Sequence, residues 1–326
     1  MNLLVLGGTQ FVGRHIVQAA LSRNHRVTLF HRGRTNPGLF PEAMKLIGDR
    51  DGGLDTLIGY TWDAVIDVNG YFPRLVTDAA RHVEGRVQRY VYISTLSVYA
   101  DHSAPNQKEN SPLAAPPDPT VEEITKDTYG PLKAACERVA EAAMPGRTLI
   151  VRPGFIVGPW DHTGRFPYWV RRVSGGGEML APGTPDDPIQ FIDGRDLAEF
   201  VIHATEAGQT GVFNATGPQS PLTWGRFFQD CRAAAGSNAR FVWVPGSFLE
   251  AQGLAATDLP MWSGTDGAGL MRTDCRKAIA AGLTYRPAVE TIGETLAWDR
   301  KHGRRDVGLT PEREKALLAA WAASAR

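Results

Sequence analysis

Tyr129 and Lys133 stand four residues apart in the stretch Tyr-Gly-Pro-Leu-Lys. On a helix that spacing puts the phenol and the ammonium on one face, and Pro131 suits a first turn. A positive charge beside a phenol favours the phenolate and lowers its pKa. Tyr129 is therefore expected to act as a general acid/base near neutral pH, with Lys133 tuning it. The run Tyr90–Tyr99 reads Tyr-Val-Tyr-Ile-Ser-Thr-Leu-Ser-Val-Tyr, a β-run that ends in hydroxyl residues. Such an ending is what a sheet needs to hold a substrate oxygen beside a tyrosine. Capping or turn chemistry by Ser94, Thr95 and Ser97 is the competing reading.

The other chemical pattern lies at the start of the chain. Leu3–Gly13 reads Leu-Leu-Val-Leu-Gly-Gly-Thr-Gln-Phe-Val-Gly, a strand, a glycine turn and a helix start. Gly7 and Gly8 allow a tight turn, and Gly13 lets the helix pack closely on the strand. The first amides of that helix suit a pyrophosphate, which places Thr9, Gln10, Phe11 and Val12 against a dinucleotide. Gln10 replaces the middle glycine of Gly-x-x-Gly-x-x-Gly, so its side chain must turn aside or bond the cofactor. A plain tight turn without ligand is the alternative.

The end of the second strand, Phe30-His31-Arg32-Gly33-Arg34, offers no carboxylate for a ribose 2′-hydroxyl. Arginine can instead pair with a 2′-phosphate, so His31 and Arg32 favour NADP(H), with NAD(H) as the alternative. Asp49 and Arg50 in Gly48-Asp49-Arg50-Asp51 are expected near the adenine, and Val68-Asn69-Gly70 where the adenine ribose and pyrophosphate pass.

These groups need a scaffold, and the pattern supplies one. Strand-like runs at Leu3–Leu6, Arg26–Phe30, Ala64–Val68, Arg89–Ile93 and Leu149–Arg152 alternate with helical stretches such as Phe11–Ser22. That alternation predicts an α/β fold of Rossmann type, a doubly wound parallel sheet covered on both faces. Beyond about residue 155 glycine and proline cluster, then Ile189–Ile192, Arg195–Thr205 and Gly211–Ala215 restore a strand-helix-strand pattern. The expected division is a dinucleotide-binding domain of residues 1–160 and 189–217. A smaller, partly discontinuous substrate domain of residues 161–188 and 218–326 would sit over the strand ends. Asp101–Pro119 reads as a polar, Pro-rich surface loop.

Bulk properties exclude several classes. Lys+Arg and Asp+Glu are both 35, so net charge is zero and nothing in the balance favours nucleic acid or an acidic membrane surface. No apolar run approaches the ~20 residues of a membrane span, and the first residues lack the pattern of a signal peptide. Three widely spaced cysteines fit a reduced, cytoplasmic setting. The eight histidines show no metal-ligand spacing, so no metal is expected.

Together these stretches resemble the extended short-chain dehydrogenase/reductase family, NAD-dependent epimerase/dehydratase-like, over nearly the whole chain. Ser94-Thr95-Leu96-Ser97-Val98-Tyr99 is similar to its Ser-Ser-x-x-Val-Tyr stretch, which makes Thr95 the catalytic Ser/Thr beside Tyr129 and Lys133. Arg152-Pro153-Gly154-Phe155-Ile156-Val157-Gly158-Pro159-Trp160-Asp161 resembles its Arg-Pro-Gly-x-x-x-Gly-Pro signature and is the most specific single match. The resemblance implies cofactor contacts from Ser94, Lys133, Pro153 and Gly154. It implies substrate contacts from Ser97, Tyr99, Asp161, His162 and Arg165, and a homodimer formed through the Tyr129 helix.

The implied chemistry is hydride transfer between a small-molecule carbonyl or alcohol and the cofactor. Nucleotide-sugar epimerisation or dehydration with retained NAD is the second outcome. The Gly-Gly-Thr-x-Phe-x-Gly variant also resembles a divergent subgroup that includes chloroplast stem-loop-binding proteins, which implies a third, non-catalytic RNA-binding outcome. Trp160, Phe166, Tyr168 and Trp169 are candidates for an apolar pocket wall, and Arg226, Arg240 and Arg272 for phosphate binding.

Overall fold

Strand β1 (Asn2–Leu6) is buried from Leu3 onward, at 1% exposure or less. Each such aliphatic side chain contributes roughly 1.5–3 kcal/mol when taken fully out of water. A strand apolar on both faces has to lie inside a covered sheet, and it does. The computed structural model describes residues 1–254, 258–264, 267–303 and 306–324. In it β1 pairs in parallel with β2 (Arg26–His31) on one side and β4 (Trp62–Asp67) on the other. The sheet continues to β3 (Met44–Ile47) beyond β2, and through β5 (Val87–Ile93), β6 (Thr148–Pro153) and β10 (Gly211–Ala215) beyond β4. The order is β10-β6-β5-β4-β1-β2-β3, with every pair parallel. It is the expected Rossmann-type sheet, and its strand order reverses between β1 and β4. Ligands of such sheets bind in the crevice at that reversal.

Helices α1 (Phe11–Ser22) and α5 (Gly194–Glu206) pack together over one face, and α2 (Pro73–Val83) and α3 (Lys126–Ala143) over the other. Sequence fixes their starts. Pro73 sits in the first turn of α2. Thr125 and Thr128 cap α3 reciprocally, at 3.2 and 2.8 Å. Asp193 accepts from the Arg195 amide to open α5.

After Pro153 the chain leaves the central sheet. β7 (Phe155–Val157) and β9 (Pro188–Asp193) run parallel in a separate three-stranded sheet, with β11 (Gly217–Thr223) antiparallel on β9. β8 (Glu178–Pro182) pairs with β12 (Arg240–Val244). Around them stand α4 (Arg165–Ser174), α6 (Trp224–Ala235), α7 (Gly246–Ala251), α9 (Ala288–His302) and α10 (Pro311–Ser324), while α8 (Arg276–Ala280) returns to pack against β10 of the central sheet. The core of this smaller C-terminal region is aromatic, built on Phe166, Trp169, Trp224, Phe227 and Phe228.

Three expectations change. The strand expected at Ile189–Ile192 forms, but as part of the small sheet rather than the central one. β3 was not expected, because Met-Lys-Leu-Ile is short and lies on a largely exposed edge with no strict alternation. The Asp101–Pro119 loop is only partly a surface loop. Its Gln107 is buried, and its Glu109 side chain accepts from the Asn214 amide of β10.

Candidate active site

A cavity of about 820 Å³ opens along the carboxyl ends of β1, β2, β4, β5 and β6 and continues under the C-terminal region. At one end is the glycine turn. Gly7 and Gly8 have φ of +109° and +98°, the left-handed side that glycine alone adopts without strain. A Cβ on Gly13 would lie 2.7 Å from the backbone nitrogen of Gly8, so α1 is drawn onto the turn as closely as backbone permits. Gly13→Ala is expected to push α1 off β1 and cost about 1–3 kcal/mol. Thermal unfolding with and without dinucleotide checks this, and an unchanged midpoint in both would contradict it.

At the end of β2 the His31 ring lies against the cavity, and its Nδ1 accepts from the Gly33 amide at 2.9 Å. The proton therefore sits on Nε2, which is buried and has no partner among the described residues. Burial and the nearby Lys45 charge hold the His31 pKa below its ordinary value, so the ring is neutral. Arg32 and Arg34 flank it on the cavity wall.

At the end of β4 the fully buried Asp67 holds the Arg50 guanidinium through two bonds of 2.9 Å. Burial opposes both charges, yet the pairing keeps the Asp67 carboxyl below, and the Arg50 guanidinium above, their ordinary ranges. Arg50 also donates to Asn69 at 2.9 Å, which fixes the Val68–Asn69 turn along the cavity.

The other end of the cavity carries hydroxyls. Tyr129, in the first turn of α3, and Thr95, just past β5, both line it and face each other within hydrogen-bonding reach. Thr95 also donates to Ser97 Oγ and accepts from the Ser97 amide, each at 3.2 Å. Burial, then the neighbouring Tyr71 phenol, push the Tyr129 pKa above its ordinary value, opposed by Thr95 and by the Arg165 charge. Tyr71 lies with its ring centroid 6.5 Å from that of Tyr129.

Most of the expected residues therefore meet on one wall. These are the turn Gly7–Gly13, then His31, Arg32, Asp49, Arg50, Val68, Asn69, Ser94, Thr95, Ser97, Tyr129, Pro153, Gly154, His162 and Arg165. Four do not. Lys133 is buried beneath the wall, where its Nζ donates to the carbonyls of Gly70 (2.9 Å) and Ile93 (2.7 Å) and lies 4.2 Å from the Tyr92 ring centroid. Four-residue spacing puts Tyr129 and Lys133 on one helix face, but Lys133 is one turn deeper, and burial lowers its pKa to about 8. The charge acting on Tyr129 is Arg165, and the phenol is raised, not lowered as expected. Gly70 turns its carbonyl inward to Lys133 and to the Tyr92 hydroxyl.

Tyr99 is 1% exposed and donates to Asn214 at 2.6 Å, away from the cavity. Asp161, also 1% exposed, holds the Thr163 amide and hydroxyl. Of the aromatic candidates, Phe166, Tyr168 and Trp169 pack in the C-terminal core, while Trp160 lies under the Arg14 guanidinium. Arg226 pairs with Asp230 and Arg240 with Glu178, and neither they nor Arg272 line the cavity.

Several wall residues have no motif behind them, notably Gln190, Thr216, Leu270 and Met271 from the C-terminal region. Glu137 also carried no signal beyond its place on the Tyr129 helix. It accepts from Ser94 at 2.5 Å and from Arg152 at 2.6 and 2.9 Å, all buried.

Among the described residues no cluster suits a metal, and no helix is long and apolar enough to cross a membrane. Residues 60–215 match the model of the NAD dependent epimerase/dehydratase family. The chain is 24% identical over 254 residues to the chloroplast stem-loop binding protein of 41 kDa b of Arabidopsis thaliana, covering 72% of this chain and 63% of that one. It thus spans less than two thirds of that relative's length. It is 25% identical over 348 aligned positions to the 2′-dehydrokanamycin reductase of Streptomyces kanamyceticus, covering 98% of this chain and 91% of that one. The solved human epimerase family protein SDR39U1 with NADPH has the same fold, with a TM-score of 0.63 at 21% identity, covering 91% of this chain and 99% of that one.

Proposed function

The chain carries the family segment and the fold of the NAD dependent epimerase/dehydratase family, and from that premise we propose that it is a nicotinamide-dependent oxidoreductase acting on a carbonyl/alcohol pair, with Tyr129 as general acid/base. The observation that carries this reading is continuity. One cavity joins the glycine cradle at Gly7–Gly13 to the paired hydroxyls of Thr95 and Tyr129. When bound, the nicotinamide supplies hydride to the carbonyl carbon or accepts it from the alcohol. Thr95 holds the substrate oxygen, and Tyr129 gives that oxygen its proton, so the ketone becomes the alcohol. A phenol raised above its ordinary pKa is protonated at neutral pH, which suits the reductive direction. The reductase named among the relatives supports net reduction as well. Ser94, donating to Glu137, presents only lone pairs to the cofactor.

The cofactor reading is NADP(H). The residues present fit a dinucleotide: Gly7 and Gly8 bring no side chain to the turn, the exposed Gln10 side chain makes no capping bond to the first amides of α1, and the His31 Nε2–H donor lacks a partner among the described residues. No carboxylate ends β2, and the charges of Arg32 and Arg34 on the cavity wall just past it support a 2′-phosphate reading. Denaturing the purified protein and identifying any released dinucleotide tests this directly. Arg32→Ala is expected to weaken NADP+ binding about tenfold or more, the value of charge-assisted hydrogen bonds, while leaving NAD+ binding unchanged. Equal loss for both dinucleotides, or co-purified NAD, would overturn the preference. The family description favours a second reading, epimerisation or dehydration with the cofactor retained. Turnover without stoichiometric NADPH consumption would establish that one instead.

A further inference from the structure

The substrate half of the cavity holds a guanidinium whose fork is only partly used. Arg165 opens α4, and its Nε donates to Thr163 Oγ1 at 3.1 Å. Thr163 in turn donates to Asp161 Oδ1 at 2.6 Å, and the guanidinium carbon lies 5.0 Å from the Phe155 ring centroid. The hydroxyl and the ring aim the group without occupying its two terminal amino groups. Among the described residues these have no hydrogen-bond acceptor, and Arg165 forms no ion pair. The half-buried or buried Arg50, Arg152, Arg171, Arg172, Arg195 and Arg286 each hold a carboxylate, while Arg14 and Arg86, also half-buried, are taken up by the Trp160 ring and the Leu57 carbonyl. Arg165 instead faces open cavity beside Tyr129.

A second observation comes from beside Gly154, the neighbour of Phe155. Thr216 is 1% exposed, lines the same cavity, and its Oγ1 has no hydrogen-bond partner among the described residues. Leu270, Met271 and Ile156 supply apolar surface at this end, and the acidic residues of the wall, Asp49 and Asp51, belong to the dinucleotide end. The whole cavity is about 820 Å³, within the range that holds one drug-sized ligand. A dinucleotide takes the greater part of it.

We propose that the substrate is a compact carbonyl compound, or the matching alcohol, bearing a carboxylate or phosphate that the Arg165 fork grips next to the reacting carbon, while the Thr216 hydroxyl bonds a second polar group. This rests on the reading of the cavity as a hydride-transfer site. A planar fork with two free amino edges matches paired anionic oxygens, and Thr163 with Asp161 behind it acts as the positioning pair.

The test titrates the NADP+-loaded protein with oxalate and, separately, with inorganic phosphate, by calorimetry. Saturable binding of one of them is expected, and which one binds identifies the anion. Arg165→Gln should weaken it about tenfold or more, Arg165→Lys should recover part through its point charge, and NADP+ affinity should stay within about twofold in both. Thr216→Val should weaken turnover of a 2-oxo acid or ketone phosphate through KM. Failure of both anions to bind the loaded parent protein, or undiminished binding in Arg165→Gln, overturns the proposal. Should NADP+ itself not bind, the cofactor reading fails on its own. The same titration of the unloaded protein then still decides the role of Arg165.

Discussion

Tyr129→Phe is expected to lower kcat/KM for carbonyl reduction about 100- to 10,000-fold, the range for loss of a positioned general acid, while dinucleotide affinity changes little. The hydroxyl is the only atom removed, and the ring keeps its place beside Tyr71. The pH dependence carries more information than the loss itself. Burial and Tyr71 raise the phenol above its ordinary value. The proton-donating form is therefore fully present at neutral pH and is lost only as pH rises through that raised value. Reduction should thus stay level from neutral to mildly alkaline pH, whereas oxidation of the alcohol, which needs the phenolate, should climb with pH over the same window. Stopped-flow measurement in both directions checks the signs. A parent enzyme whose reduction falls between pH 7 and 9, with the fall absent in Arg165→Gln, would show that Arg165 and not burial dominates the phenol.

The largest stability effect is expected at Arg152. Its bidentate contact to Glu137 at 2.6 and 2.9 Å is buried, and it also donates to the Tyr99 hydroxyl and to the Glu109 carbonyl. Arg152→Met leaves the Glu137 carboxylate without its counter-charge, at a cost of about 3–5 kcal/mol. In a chain of this size that is a fall in Tm on the order of 10 °C. Replacing both members, Glu137→Leu with Arg152→Met, is expected to recover most of the loss, because the penalty lies in the stranded charge and not in the missing pair. A double variant no more stable than the single one would mean that the Arg152 bonds to Tyr99 and Glu109 carry the stability. Ser94 offers a second readout. Without Glu137 its hydroxyl is free to rotate, so cofactor binding should weaken in the double variant even where stability returns.

The legible part of this molecule is the part governed by local rules. The turn at Gly7–Gly13 could be read because positive φ and close backbone approach require glycine at defined spacings. The strands could be read because buried parallel strands are short, continuous apolar runs. Lys133 shows where such reading stops: spacing fixes the helix face but not the depth, and one turn separates a cavity wall from a buried amine bonded to two carbonyls. Tyr99 and Asp161 failed for a related reason. A hydroxyl or carboxylate in a signature segment serves a ligand or a neighbouring residue equally well, and here Asn214 and Thr163 take them. The substrate wall was hidden because Gln190, Thr216, Leu270 and Met271 come from three separate stretches brought together only by the tertiary fold.

The path of the chain between its sheets has one further consequence. It leaves the central sheet after β6, returns through α5 and β10, and leaves again into β11. No single cut of the backbone would release the C-terminal region as one contiguous piece, since each part is interleaved with the other in the sequence. The exits after β6 and β10 lie side by side, where the Gly154 amide donates to the Ala215 carbonyl at 3.3 Å, so neither crossing can shift without carrying the other with it.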